Sequence, residues 1–128
     1  MTERKVEIID ADGRITISEE VVAEIARVAA MRVDGIARPK GGMPGGLKGF
    51  FGGEDISPDI KTELNEDGAH VELKIAVEYG FPVHEVAQGI QENVENDIKQ
   101  MAGVEVTGVD IYVKKVVPSE KRDEQEQA

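Results

Sequence analysis

The chain has two histidines, His70 and His84, and no cysteine. Side chains able to ligate a metal or act as a base near neutral pH are therefore few. A structural zinc site needs four nitrogen or sulfur ligands at short, regular spacings, and the two histidines do not stand at i,i+4. His70 falls on the polar parity of an alternating stretch beside a turn, and His84 on the wet side of a helical first turn. Both read as surface residues. The 26 Asp and Glu outnumber the 15 Lys and Arg, but their spacing is that of a solvated face. Glu92, Glu95 and Lys99 stand three and four apart, which supports a helix through side-chain pairing. Neither an EF-hand ladder nor a two-carboxylate cleft has a matching spacing. No catalytic residue, metal or cofactor is expected.

The second candidate for chemistry is the run Gly41-Gly42-Met43-Pro44-Gly45-Gly46-Leu47-Lys48-Gly49-Phe50-Phe51-Gly52-Gly53. A phosphate-binding Walker loop needs GxxxxGK, then Ser or Thr and a helix. Here Lys48 comes one place too late, no hydroxyl follows, and no helix begins. Gly45-Gly46-Leu47-Lys48-Gly49 within it is similar to the basic clamp loop of some RNA-binding domains, and a small-molecule or nucleic-acid binding module built on this loop is the alternative reading. A net charge of -11 works against holding a phosphate backbone, so no nucleic acid is expected. The stronger reading is an interaction loop. Arg38, Lys40, Leu47, Lys48, Phe50 and Phe51 form a basic, apolar island in an acidic chain, suited to a partner's groove or an anionic membrane surface. The competing reading has the two phenylalanines folding back over the core of their own domain.

These residues need a scaffold. Between Val83 and Met101, apolar residues fall at Val83, Val86, Ala87, Ile90, Val94, Ile98 and Met101, the steps of three and four of one helical stripe. Pro82 suits the first turn and Gly103 a left-handed stop. An earlier helix starts from Ser18 as N-cap with Glu19 and Glu20 in its first turn. It carries Val21, Val22, Ile25, Ala26 and Ala29 as its stripe and ends near Arg32 to Gly35. Short strands are predicted around Val6 to Ile9, Arg14 to Ile17 and Ile36 to Arg38, with turn residues Asp12-Gly13 between the first two. Ile60 to Leu64 and Val71 to Tyr79 form a hairpin closed by Asn65-Glu66-Asp67-Gly68, and Val109, Ile111 and Val113 share one face of a last strand.

With 128 residues this is material for one domain. The expected division is a flexible lead-in at 1–12, a domain at 13–117 containing a glycine-rich loop at 39–57, and a disordered acidic tail at 118–128. The fold class is α+β, a two-layer α/β sandwich with two helices on one face of a small mixed or antiparallel sheet. The other sheet face, with Glu72, Lys74, Glu78, Tyr112 and Lys114, is expected to be open to solvent or a partner. Met1 to Asp10 lacks the apolar core of a signal peptide, and no run approaches the roughly 20 apolar residues of a membrane span.

Several motifs in register resemble one family. Gly13-Arg14-Ile15-Thr16-Ile17-Ser18-Glu19-Glu20-Val21-Val22-Ala23-Glu24-Ile25-Ala26, Val33-Asp34-Gly35-Ile36, Val77-Glu78-Tyr79-Gly80 and Val86-Ala87-Gln88-Gly89-Ile90-Gln91-Glu92-Asn93-Val94 are similar to segments of the alkaline-shock-protein family of Gram-positive bacteria. So are Met101-Ala102-Gly103-Val104-Glu105-Val106 and Val109-Asp110-Ile111-Tyr112-Val113. The glycine loop departs from the pattern, being longer and richer in glycine than in many members. The resemblance implies a non-enzymatic cytoplasmic protein of envelope stress or homeostasis, a scaffold or adaptor peripheral at the inner face of the membrane. Its implied partners are a protein, a membrane-anchored one among the candidates, and further copies of itself.

Overall fold

The computed structural model describes residues 5–38 and 56–118. In chain order these form β1 (Lys5–Asp10), β2 (Gly13–Ser18), α1 (Glu19–Met31), β3 (Asp59–Asn65), β4 (Gly68–Glu78), α2 (Val83–Asp97) and β5 (Val106–Val117). A π-helical turn, Ile98–Ala102, extends α2. The main sheet has the order β3-β4-β5. β3 runs antiparallel to β4, closed by a tight turn in which Asn65 Oδ1 accepts from the amides of Asp67 and Gly68. β5 runs parallel to β4, because the chain must cross over through a helix before rejoining the sheet on its far side. The sheet is thus mixed, and the fold is the expected α+β arrangement.

α1 begins as its sequence requires. The Ser18 hydroxyl accepts from the Val21 amide at 3.4 Å, and Glu19 and Glu20 occupy the first turn. Val22, Ala26, Ala29 and Ala30 are buried, their small side chains allowing close approach to α2. Asn93 Nδ2 donates to the Ala29 carbonyl at 3.3 Å, and Arg32 pairs with Asp97 at 2.7 Å. α2 presses Val86, Ile90, Val94 and Ile98 into the core against Val71, Leu73, Ile75 and Val77 of β4. Each such side chain contributes roughly 1.5–3 kcal/mol on burial. Val109, Ile111 and Val113 of β5 flank this core, partly buried.

The structure departs from the sequence reading in specific places. Among the described residues the first two strands pair only with each other, as a separate two-stranded hairpin, and the stretch around Ile36 makes a single bridge to Val77. Val21 is 47% exposed, sitting one step off the stripe that Val22 and Ala26 define. Met101 is 70% exposed. The π-turn is the cause: closed by i→i+5 bonds, it needs more than four residues to come round. Ala102 therefore continues the buried face from Ile98, and Met101 swings out. Gly103 ends the turn in the left-handed conformation, φ 68°. Tyr79, expected as the last residue of the hairpin's second strand, is 59% exposed. The strand ends one residue earlier, at Glu78.

Candidate functional site

Both helices lie on one side of the main sheet, so β3, β4 and β5 turn their remaining side chains to the other. Register places them in rows. Asp59 stands beside Lys74, which stands beside Tyr112; Lys61, Glu72 and Asp110 form the next row, and Glu63, His70 and Gly108 the third. Opposite charges directly across strands contribute roughly 0.2–1 kcal/mol each, and like charges cost similar amounts. In the middle row Glu72 and Asp110 are neighbours of like sign. Lys61 faces Glu72 from β3, while Asp110 Oδ2 is engaged by His70 Nε2 at 2.8 Å. Lys114 Nζ lies 3.5 Å from Asp59 Oδ2, reaching across the face. Tyr112 stands among these charges 63% exposed.

Of the expected face residues, Glu72, Lys74 and Tyr112 are exposed, whereas Glu78 and Lys114 are half-buried. The structure adds Asp59, Lys61, Glu63, His70 and Asp110 to the same surface. The His70–Asp110 contact was missed because it joins residues forty apart through a parallel register, which no local pattern announces. Gly108 is the one local signal. A β-carbon there would lie 3.1 Å from His70 Cε1 and Nδ1, so the glycine provides room for the imidazole. His84 is exposed in the first turn of α2. Of the expected interaction loop, Arg38 is exposed and donates to the Met31 carbonyl. Lys40, Leu47, Lys48, Phe50 and Phe51 lie outside the described residues.

Among the described residues, no group of three or more His, Cys, Asp and Glu side chains is placed to hold a metal ion. A shallow, open groove runs between α1 and the start of β3, lined by Ser18, Glu20, Val21, Arg27, Pro58 and Ile60. On its rim the Arg27 guanidinium, hydrogen-bonded to Glu24, holds that carboxyl below its ordinary range, and Glu24 raises Arg27 in return. Both groups are exposed, which makes this a helix-surface pair of modest worth. The arrangement on the outer sheet face differs in kind. It is an open surface carrying charges of both signs, with the exposed Tyr112 on its edge strand.

Comparison with known proteins agrees with the motifs quoted above. The chain is 29% identical over 101 residues to the uncharacterized protein YqhY of Bacillus subtilis (strain 168), covering 79% of this chain and 75% of that one. It is 33% identical over 106 residues to the uncharacterized protein YloU of the same organism, 81% of this chain and 88% of that one. A stress response regulator gls24 homolog of Streptococcus pyogenes serotype M1 is 28% identical over 102 residues. The match takes in 79% of this chain and 57% of that longer protein. No solved structure matches. No helix among the described residues is long and apolar enough to cross a membrane. A family model covers residues 7–118, nearly the whole of the hairpin, the two helices and the mixed sheet, and by that match the chain belongs to the alkaline-shock (ASP23) family of cell envelope-related function.

Proposed function

We propose that this protein is a non-enzymatic adaptor of the envelope stress response, held in the cytoplasm at the inner face of the membrane by a membrane-anchored protein partner. The observation that carries the reading is the outer sheet face, where the exposed Tyr112 stands on the edge strand beside Lys74 and Asp110, with Glu72 and Lys61 further across the face. Charges of both signs give a partner register and orientation, and an aromatic anchor supplies contact area at low entropy cost. Membership of a family of cell envelope-related function, and likeness to a protein named as a stress response regulator, support the setting. The strongly acidic balance disfavours direct adhesion to anionic lipid, which favours attachment through another protein.

The test is fractionation of the tagged full chain from cells in which it is native. The chain is expected in the membrane fraction, and a Lys74→Glu/Tyr112→Ala variant in the soluble one, with unchanged circular dichroism. Elevated salt is expected to weaken the attachment as it screens the face. Membrane recovery that survives both substitutions overturns the reading. So does sedimentation of the purified chain with protein-free anionic vesicles.

A further inference from the structure

β5 is the longest strand, Val106–Val117, and it lies at the edge of the main sheet. Among the described residues no strand pairs with its other side. Which of its backbone groups are left open follows from the contacts. The Glu105 carbonyl accepts from the Ala69 amide, and the Val117 carbonyl from the Tyr79 amide, so odd-numbered groups face β4 at both ends. Register irregularities between Ala69 and His70 and between Ile75 and Ala76 each insert a residue on β5, which reverses that parity between them. The open stretch is bounded on both sides. Toward its start, Gln91 Nε2 donates to the outward Val109 carbonyl at 2.9 Å. Toward its end, the second irregularity turns the strand over beyond Val113. Between these limits the amides and carbonyls of Ile111 and Val113 point away from β4. No proline and no core-side charge closes the edge from Val109 to Val113, so it stays a template for pairing.

Outward amides and carbonyls two residues apart are satisfied by another strand, which returns a donor and an acceptor to each residue. The window admits a short one, about five residues long. Side chains define the rest. Ile111 and Val113 are only partly buried, so the added strand needs β-branched side chains on the parity that lies beside them. Its other parity lies beside Asp110 and the exposed Tyr112. Above the edge, the flank of α2 that carries Gln91 continues one turn on to Glu95, which is exposed and without an ion pair among the described residues. The chain carries a net charge of -11. A strand bearing lysine or arginine is drawn to this edge, whereas a second copy brings the same acidic excess to it. We infer that β5 receives a short, extended, net-basic segment of a different protein, added to the three-stranded sheet through Ile111 and Val113. The inference rests on the adaptor reading for its setting and gives that partner its form, a backbone ladder beside the charged face.

The test uses the purified full chain and no membrane, so it and the fractionation fail separately. The probe is a phage-displayed library of random linear peptides, panned at low salt, with the selected sequence then synthesised. Selected peptides are expected to alternate β-branched residues with lysine or arginine, with no proline in that run. The synthetic peptide is expected to slow hydrogen exchange at the Ile111 and Val113 amides at least about tenfold, and its binding to weaken as salt rises. Val113→Pro removes an outward amide without touching the β4 ladder, and is expected to weaken binding at least about tenfold. Val113→Ile keeps both the amide and the branched side chain and should bind within about threefold of the parent. Should Val113→Pro unfold, the exchange pattern decides alone. The absence of any peptide enriched over a mock selection overturns the inference. So does a selected peptide that is acidic, that protects amides away from β5, or that binds Val113→Pro as well as the parent. A purified chain of twice 13.9 kDa whose Ile111 and Val113 amides are already protected also overturns it, because a second copy is then the occupant.

Discussion

The imidazole of His70 lies over Gly108, and a β-carbon at that position would come within 3.1 Å of the ring. The ring is half-exposed and can yield by a few tenths of an ångström, so Gly108→Ala is expected to displace it from Asp110 rather than break the strand. Two effects then oppose each other: a less flexible unfolded chain stabilises by about 0.4–1 kcal/mol, and loss of a surface pair costs about 0–1 kcal/mol. Net stability should change by less than about 1 kcal/mol. A double-mutant cycle with Asp110→Asn separates the terms in urea denaturation. Coupling of His70 to Asp110 is expected in the parent and none in the alanine variant.

Gly35 presents the opposite case. Its φ is +100°, and an added β-carbon would meet Val86 Cγ2 at 2.7 Å and Phe81 Cγ at 2.8 Å. The backbone is held there, since the Gly35 carbonyl accepts from the Glu78 amide at 2.8 Å. Strained backbone and overpacking combine, so Gly35→Ala should cost about 2–4 kcal/mol. Phe81→Ala in the same chain should recover part of the loss, because Phe81 is 38% exposed and supplies one of the two clashes. Full recovery would mean that the left-handed conformation carries no penalty.

Ile90 and Met101 fall on one helical stripe in the sequence, and the structure separates them. Ile90 is fully buried and Met101 is 70% exposed. Truncating Ile90 to alanine is expected to cost about 2–5 kcal/mol. Met101→Ala should change stability by less than about 0.5 kcal/mol, as surface substitutions do. Chemical denaturation of the two variants checks the placement of the π-turn. A large loss at Met101 would mean that the helix continues in ordinary α geometry to its end.

Those two residues also show what was legible. The stripe Val86, Ile90, Val94 and Ile98, the Ser18 cap and the left-handed Gly103 follow from local rules of spacing and backbone preference, and the structure has all of them. The π-turn escapes because a single widened turn leaves residue types unchanged while rotating the face. The exposure of Tyr79 escapes for another reason: β4 ends at Glu78, and a residue beyond the strand end is no longer held on its buried parity. Whether the sheet was mixed or antiparallel was open, since strand direction depends on how α2 carries the chain across. The outer face was half legible. Alternation on β4 and β5 exposed Glu72, Lys74 and Tyr112, but the contribution of β3 and the meeting of His70 with Asp110 depend on strand order, a non-local property.

On α1, Arg27 stabilises the ionised form of Glu24, first through the hydrogen bond and then through its charge. A carboxyl whose folded pKa is depressed adds stability above its unfolded pKa and loses it as pH falls through the folded value. The Glu24–Arg27 pair therefore acts at neutral pH and fades below the ordinary carboxylate range. Carboxyl-detected NMR should find the Glu24 midpoint below that of an unpaired glutamate, and Arg27→Gln should return it upward. A midpoint unaffected by the substitution would remove Arg27 as the cause.

Ile36 and Asp59 are far apart in sequence yet occupy one line on the same edge of β4. Ile36 bridges Val77 in antiparallel sense, the Ala37 amide donates to the Ala76 carbonyl at 2.8 Å, and Asp59 pairs with Lys74. Both pieces run the same way along β4, and only the position beside Ile75 separates them. The chain thus leaves an edge strand and rejoins it about one residue further on, as if a continuous strand had been opened and the intervening segment inserted. Replacing residues 38–58 by a single threonine is therefore expected to produce one unbroken strand from Ile36 to Asn65 with the sheet intact. Removing more than four doublings of connection length lowers the closure cost by about 2–3 kcal/mol, offset by the lost contact of Arg38 with the Met31 carbonyl. The thermal midpoint should fall by no more than a few degrees, with native amide dispersion in NMR retained. A collapse of dispersion would show that the segment supports the core as well as spanning this gap. Retention would leave it available as a separable binding element, to be tested in the same fractionation as the sheet face.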